Sequence, residues 1–99
     1  MNARTTALSA LIAMRRQNAW ADGALKEYTA RARLDRRDAA LCARLLYGVV
    51  QNRMLLDFYL AQAVASPLAK LQPVVLDILR LGAYQILFLD KIPVSAAVN

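Results

Sequence analysis

Histidine is absent from the 99 residues and cysteine occurs once, as Cys42. A transition-metal site would therefore have to rest on carboxylates, and neither a Ser-His nor a Cys-His pair can be assembled for nucleophilic catalysis. One cysteine also forbids an intramolecular disulfide, which suits a reducing, cytoplasmic compartment. Glycine and proline number three each, and Gly23, Gly48 and Gly82 are scattered. That is too little turn chemistry for a many-stranded sheet, and no glycine-rich phosphate loop is present. Long apolar runs are missing as well. The greasiest stretch, residues 74–89, is interrupted by Asp77, Arg80 and Gln85, so no membrane partner is expected.

What the sequence has in quantity is helix-forming apolar material. Hydrophobic residues make up 59% of it, enough for the core of one domain spanning residues 1–99. The expected fold class is all-α, a small helical bundle. Thirteen basic residues face seven acidic ones, for a net charge of +6. Ten of the thirteen are arginine, whose planar fork matches phosphate bidentately. An excess of this kind favours a polyanionic partner, but it also solubilises an apolar domain, and charge alone leaves both readings standing. The first 21 residues carry Arg4, Arg15 and Arg16 with no acid. That composition is shared by transit peptides and by ordinary helices with a basic face.

Periodicity predicts five helices. Ala7, Leu8, Leu11 and Ile12 share one face of a first helix over residues 3–17, with Arg4 and Arg15 at the rims of that stripe. Asp22 is expected to cap a second helix over residues 23–32, burying Leu25, Tyr28 and Ala32. Asp35 is expected to cap a third from residue 36, with Asp38 in its first turn and Leu41, Leu45, Leu46, Val49 and Val50 inward. The apolar phase shifts at residues 51–53, which predicts a kink. A fourth helix then carries Leu56, Tyr59, Leu60, Ala63 and Val64 until Ser66-Pro67 stops it. Pro73 opens a fifth, residues 73–89, apolar nearly all round and so expected at the centre of the bundle, with Gly82 admitting a close neighbour. Residues 90–93 read as a turn.

Catalytic chemistry finds no constellation here. Asp35 and Asp38 read as caps, and Asp57 and Asp77 as structural partners of arginine. Cys42, near a buried stripe, reads as packing rather than as a nucleophile. The candidate sites are two arginine sets, Arg4, Arg15 and Arg16 at the N-terminus and Arg31, Arg33, Arg36 and Arg37 in the middle. Trp20 and Tyr28 lie between them in sequence. Such rings can stack on unpaired bases while arginines hold phosphates, but large rings more often bury themselves, and core positions are expected for both.

Two stretches carry a family resemblance. DAALCARLLYGVVQNRMLLD, residues 38–57, resembles the middle of the NusB-like domain. LQPVVLDILRLGAYQILFLDKIP, residues 71–93, is similar almost position for position to the N-terminal domain of the Sun/Fmu (RsmB) ribosomal RNA cytosine-5 methyltransferases. Ala96 to Asn99 continue that likeness, and Ala3-Arg4 with Ala7-Leu8 fit the first helix more loosely. Ser95 departs from the pattern, standing where that branch often has histidine.

The resemblance implies a NusB-like helical bundle that binds RNA, with a role for Arg4. It also implies a parent chain with a catalytic methyltransferase domain using S-adenosylmethionine, while this chain itself is no enzyme. Cys42 matches none of that family's catalytic cysteines. The family's domain continues through at least one more core helix, so an apolar groove is expected to lie open and to offer a homodimer interface. Three functions follow as expectations. The first is the RNA-binding part of a small-subunit rRNA methyltransferase. The second is an antitermination factor of NusB type, acting through RNA and a ribosomal protein. The third is an interaction domain whose arginines only keep it in solution.

Overall fold

The computed structural model describes residues 2–89; the turn expected at 90–93, Ser95 and the segment 96–99 lie outside the described residues. The helices are α1 (Ala3–Gln17), α2 (Ala21–Ala32), α3 (Arg36–Gln51), α4 (Arg53–Ala63) and α5 (Pro73–Phe88), with one 3-10 turn at Leu68–Lys70. No strand occurs among the described residues.

Local chemistry explains most boundaries. Asn2 caps α1 by accepting from the Thr5 amide at 2.9 Å, and the Thr5 hydroxyl completes a capping box. Arg15 and Arg16 occupy the last turn of α1, where the helix dipole favours cations. Asp35 caps α3 through the Asp38 amide at 2.8 Å. The expected kink falls at Asn52, whose backbone amide and side-chain amide both donate to the Gly48 carbonyl, at 3.1 and 2.8 Å. Pro73 takes the first position of α5, and α4 stops at Ala63, ahead of Pro67.

Three expectations about packing are corrected. Asp22 is not the cap of α2: the helix starts at Ala21 with Trp20 in the cap position, and Asp22 sits in the first turn accepting from the Tyr47 hydroxyl. That hydrogen bond, with burial behind it, holds the Tyr47 phenol above its ordinary pKa. Among the described residues, nothing outside its own stretch of helix lies within 4 Å of where a Cβ on Gly82 would stand, whereas Gly48 lies directly against the Tyr84 ring. Finally, α5 is not the central helix. That place belongs to α1, which packs on α2, α3 and α5. Its inner face is Ala3, Ala7, Ala10 and Ala13 with Leu11, all buried; small side chains let three helices approach one axis closely.

Around α1 the core is completed by Cys42, Leu45, Leu46 and Val49 from α3, Leu56 from α4, and Leu81 and Tyr84 from α5. Burial pushes the Cys42 thiol above its ordinary pKa. Cys42 is fully buried and free, so iodoacetamide is expected to alkylate it roughly a hundredfold or more slowly in the native protein than in denaturant. Equal rates, measured by intact mass over a time course, would contradict the packing of α3.

Candidate nucleic-acid interface

α1 and α5 run antiparallel, as two contacts show. The Arg4 Nε donates to Gln85 Oε1 at 2.6 Å near one end, and Arg15 pairs with Asp77 at 3.2 Å near the other. α5 turns its polar residues inward to meet them: Asp77, Arg80 and Gln85 are buried while Val75, Ile78, Ile86 and Leu87 are exposed. Arg80 in turn holds Asp57 of α4 through Nε at 2.7 Å and Nη2 at 2.9 Å, with Asp77 also 3.8 Å from its Nη1. Arg15, Asp77, Arg80 and Asp57 thus form one chain of charges stitching α1 to α5 to α4. The expectation that Asp57 and Asp77 pair with arginine holds.

The seven candidate arginines do not form one patch. Arg15 and Arg16 end α1 on the side where α2 begins. Arg31 and Arg33 end α2, and Arg36 and Arg37 begin α3, at the other end of the bundle. The twelve residues of α2 separate Arg15 and Arg16 from the middle set by roughly 18 Å at the helical rise, and Arg4, in the first turn of α1, lies at the far end of that helix from both of them. Their surroundings differ too. Arg4 and Arg15 are anchored on α5. Arg31 pairs with Glu27 one turn earlier and lies over the Tyr28 ring, 5.2 Å from its centroid. Arg16, Arg33, Arg36 and Arg37 are exposed and form no ion pair among the described residues. Arg33 adopts φ 52° in closing α2, its amide donating to the Ala30 carbonyl at 3.2 Å. This left-handed conformation favours glycine, so a cation there is retained at some conformational cost.

Two features of this surface were not read from the sequence. Arg53 opens α4 immediately after the kink, exposed, beside a cleft of roughly 230 Å³ that Arg15, Asp77, Arg80, Leu68 and Pro73 also line. Its signal was present, a lone cation at a predicted break, but nothing local ties it to Arg15. The second is Trp20: the core position expected for it is overturned, since the ring is 87% exposed. Tyr28 is half-buried against the core and Leu25 with it; Ala24 is the one fully buried residue of α2.

An apolar groove of roughly 660 Å³ runs between α4 and α5, lined by Ile78, Gly82 and Ile86 and reaching Leu8 and Arg4 of α1. No group of three or more His, Cys, Asp or Glu that could hold a metal occurs among the described residues. Nor is any described helix long and apolar enough to cross a membrane.

Comparison with known proteins agrees with the helical architecture. The chain is 34% identical over its whole length to a protein of Synechocystis named probable ribosomal RNA small subunit methyltransferase B, covering 22% of that protein. Over 97% of its length it is 35% identical to the Bacillus subtilis protein of the same name, covering 21% of it. The transcription antitermination protein NusB of Caldicellulosiruptor saccharolyticus is 32% identical over 63% of this chain and 48% of its own. The chain therefore spans about a fifth of the methyltransferase-named relatives it matches. No solved structure matches. The NusB family matches residues 1–99, and with a match that runs from the first residue to the last, this chain is a member of the NusB family.

Proposed function

We propose that this chain is the RNA-binding domain of a small-subunit ribosomal RNA cytosine-5 methyltransferase, holding cytoplasmic rRNA for a catalytic domain elsewhere in a longer protein. The observation that carries this reading is coverage: likeness to the methyltransferase-named relatives runs through nearly the whole chain, while likeness to the antitermination-named protein covers about two-thirds of it. The exposed arginines support RNA as the ligand. An antitermination role beside a ribosomal protein is the second reading, on the strength of that shorter match.

Neither the groove nor the cleft fits S-adenosylmethionine: among the described residues the groove is apolar, and in the cleft Asp77 is already committed to Arg15 and Arg80. The methyl donor belongs to the catalytic domain in this reading. The apolar groove is assigned to a further segment of the longer protein rather than to a second copy of this chain, since the matched relatives extend well past its length.

Alanine at Arg16, Arg33, Arg36 and Arg37 together is expected to weaken RNA binding and to flatten its salt dependence. The log–log slope should fall by about 0.7 for each single-strand phosphate that is no longer neutralised. Titrating rRNA fragments at several salt concentrations checks this, and a slope identical to that of the parent would refute the phosphate assignment. In the longer protein the same variant is expected to reduce cytosine-5 methylation of small-subunit rRNA, read by bisulfite sequencing.

A further inference from the structure

Trp20 is the only tryptophan of the chain, and its ring stands 87% in water. Neither packing nor local structure accounts for it there. The residue occupies the cap position of α2 in an extended conformation, φ −76° and ψ 152°, and its side chain makes no capping hydrogen bond. A small polar residue would cap the helix better, and a large ring is ordinarily buried. The position gives up both advantages and presents a flat apolar face to solvent.

Its neighbourhood holds more cations than acids, Arg15, Arg16, Arg53 and Arg80 against Asp22, Asp57 and Asp77. Asn18, at φ 53°, turns the chain between α1 and α2, so Arg16 in the last turn of α1 stands one helical turn of sequence before the ring. Asp22, the nearest acid in sequence, accepts from the Tyr47 hydroxyl and keeps its charge. Tyr47 lies one turn before α3 ends, where Asn52 hands the chain to Arg53. The other acids at this end, Asp77 and Asp57, are neutralised by Arg15 and Arg80. Arg16 and Arg53 are left exposed and form no ion pair among the described residues.

We infer that Trp20 is a stacking platform for an unpaired base, with Arg16 and Arg53 holding the flanking phosphates of a single-stranded RNA segment. This deepens the RNA-binding reading and rests on it. An aromatic face accepts any base, because each has a π surface, but only a base released from its own helix can reach it. Double-stranded RNA would meet the arginines and leave the ring untouched. The end of the bundle carrying Trp20 therefore selects unpaired RNA, and the end carrying Arg33, Arg36 and Arg37 contributes charge without selection.

With one tryptophan in the chain, its emission reports this site alone. The probes are a fluorescein-labelled ten-nucleotide oligouridylate and a blunt RNA duplex of equal length. The oligouridylate is expected to quench the tryptophan emission, and the duplex to bind without quenching it. Trp20→Ala is expected to weaken oligouridylate binding about 5- to 150-fold by anisotropy, the range for loss of one base–aromatic stack, while duplex binding is unchanged. Trp20→Phe should recover part of the loss. Because the ring is exposed, unaltered circular dichroism will show that Trp20→Ala still folds. Oligouridylate binding with unchanged emission and an indifferent Trp20→Ala would overturn the platform while RNA binding stands, and would make the ring a contact for protein. Failure of both probes to bind at low salt would overturn the RNA-binding reading itself, and the platform with it.

Discussion

Asp57→Ala is expected to lower stability by about 3 kcal/mol, which for a domain of this size moves the thermal midpoint down by roughly 12–24 °C. The reason is the group left behind. Arg80 is only 7% exposed, and its two short hydrogen bonds, 2.7 and 2.9 Å, both go to Asp57. Without that carboxylate its one remaining counter-charge is Asp77, 3.8 Å away and shared with Arg15. A stranded carboxylate can protonate, but a guanidinium cannot shed its charge, so the desolvation cost falls in full. Asp57→Asn should lose less, since one acceptor oxygen survives. The double variant Asp57→Leu with Arg80→Met should recover most of the loss, because an apolar pair of similar size often replaces a buried ion pair without penalty. Thermal melts of the three variants decide the matter; a single-variant loss under about 1 kcal/mol would mean that water, not Asp57, solvates Arg80.

Gly48→Ala is expected to destabilise by about 2 kcal/mol, or roughly 8–16 °C. Two effects compete. Alanine is the better helix former by about 0.8–1.0 kcal/mol. Against this, its methyl group would fall inside the Tyr84 ring, and forced overpacking costs about 1–3 kcal/mol or more. The clash wins because the ring has nowhere to go: Tyr84 is buried and stacked on Phe88, centroids 5.1 Å apart and planes at 20°. Gly82→Ala is the control. With nothing outside its own stretch of helix within 4 Å among the described residues, it should gain the helix propensity and raise the midpoint by about 4–8 °C. A Gly48→Ala protein as stable as its parent would show that the α3–α5 contact yields freely.

Contrasts of this kind mark what could be read from the letters. Asp35, Pro73 and the Asn52 break act within one turn of themselves, so cap and proline rules located α3 and α5 to within a residue. The chemistry of Asp57 and Asp77 was legible by type, as lone acids that need arginine, though the partners come from other helices. Orientation was not legible where a helix has no polar side. The continuous hydrophobicity of α5 suggested envelopment, yet its few polar residues face inward because Arg4 and Arg15 of α1 await them there. The hub position of α1 rests on alanines, which carry little hydrophobic signal and matter through their smallness. Trp20 and Gly82 were misjudged, and Gly48 was passed over, for one reason. Burial of a ring, or closeness to a glycine, is a property of the neighbour, and no local window contains the neighbour. The two arginine sets could be named in advance, but their separation along α2 could not.

The pairing of α1 with α5 also sets a clock. Arg4 and Gln85 are 81 positions apart, and Arg15 and Asp77 are 62 apart. A ribosome adds roughly 5–20 residues per second, so on the order of 3–16 s pass between synthesis of the first helix and of the residues that secure its ends. Through that interval the nascent α1 can rest its alanine face on α2 and α3, but both arginines lack their final partners. Vectorial synthesis therefore leaves closure of this seam to α5, and α1 cannot secure its ends before that helix has cleared the exit tunnel.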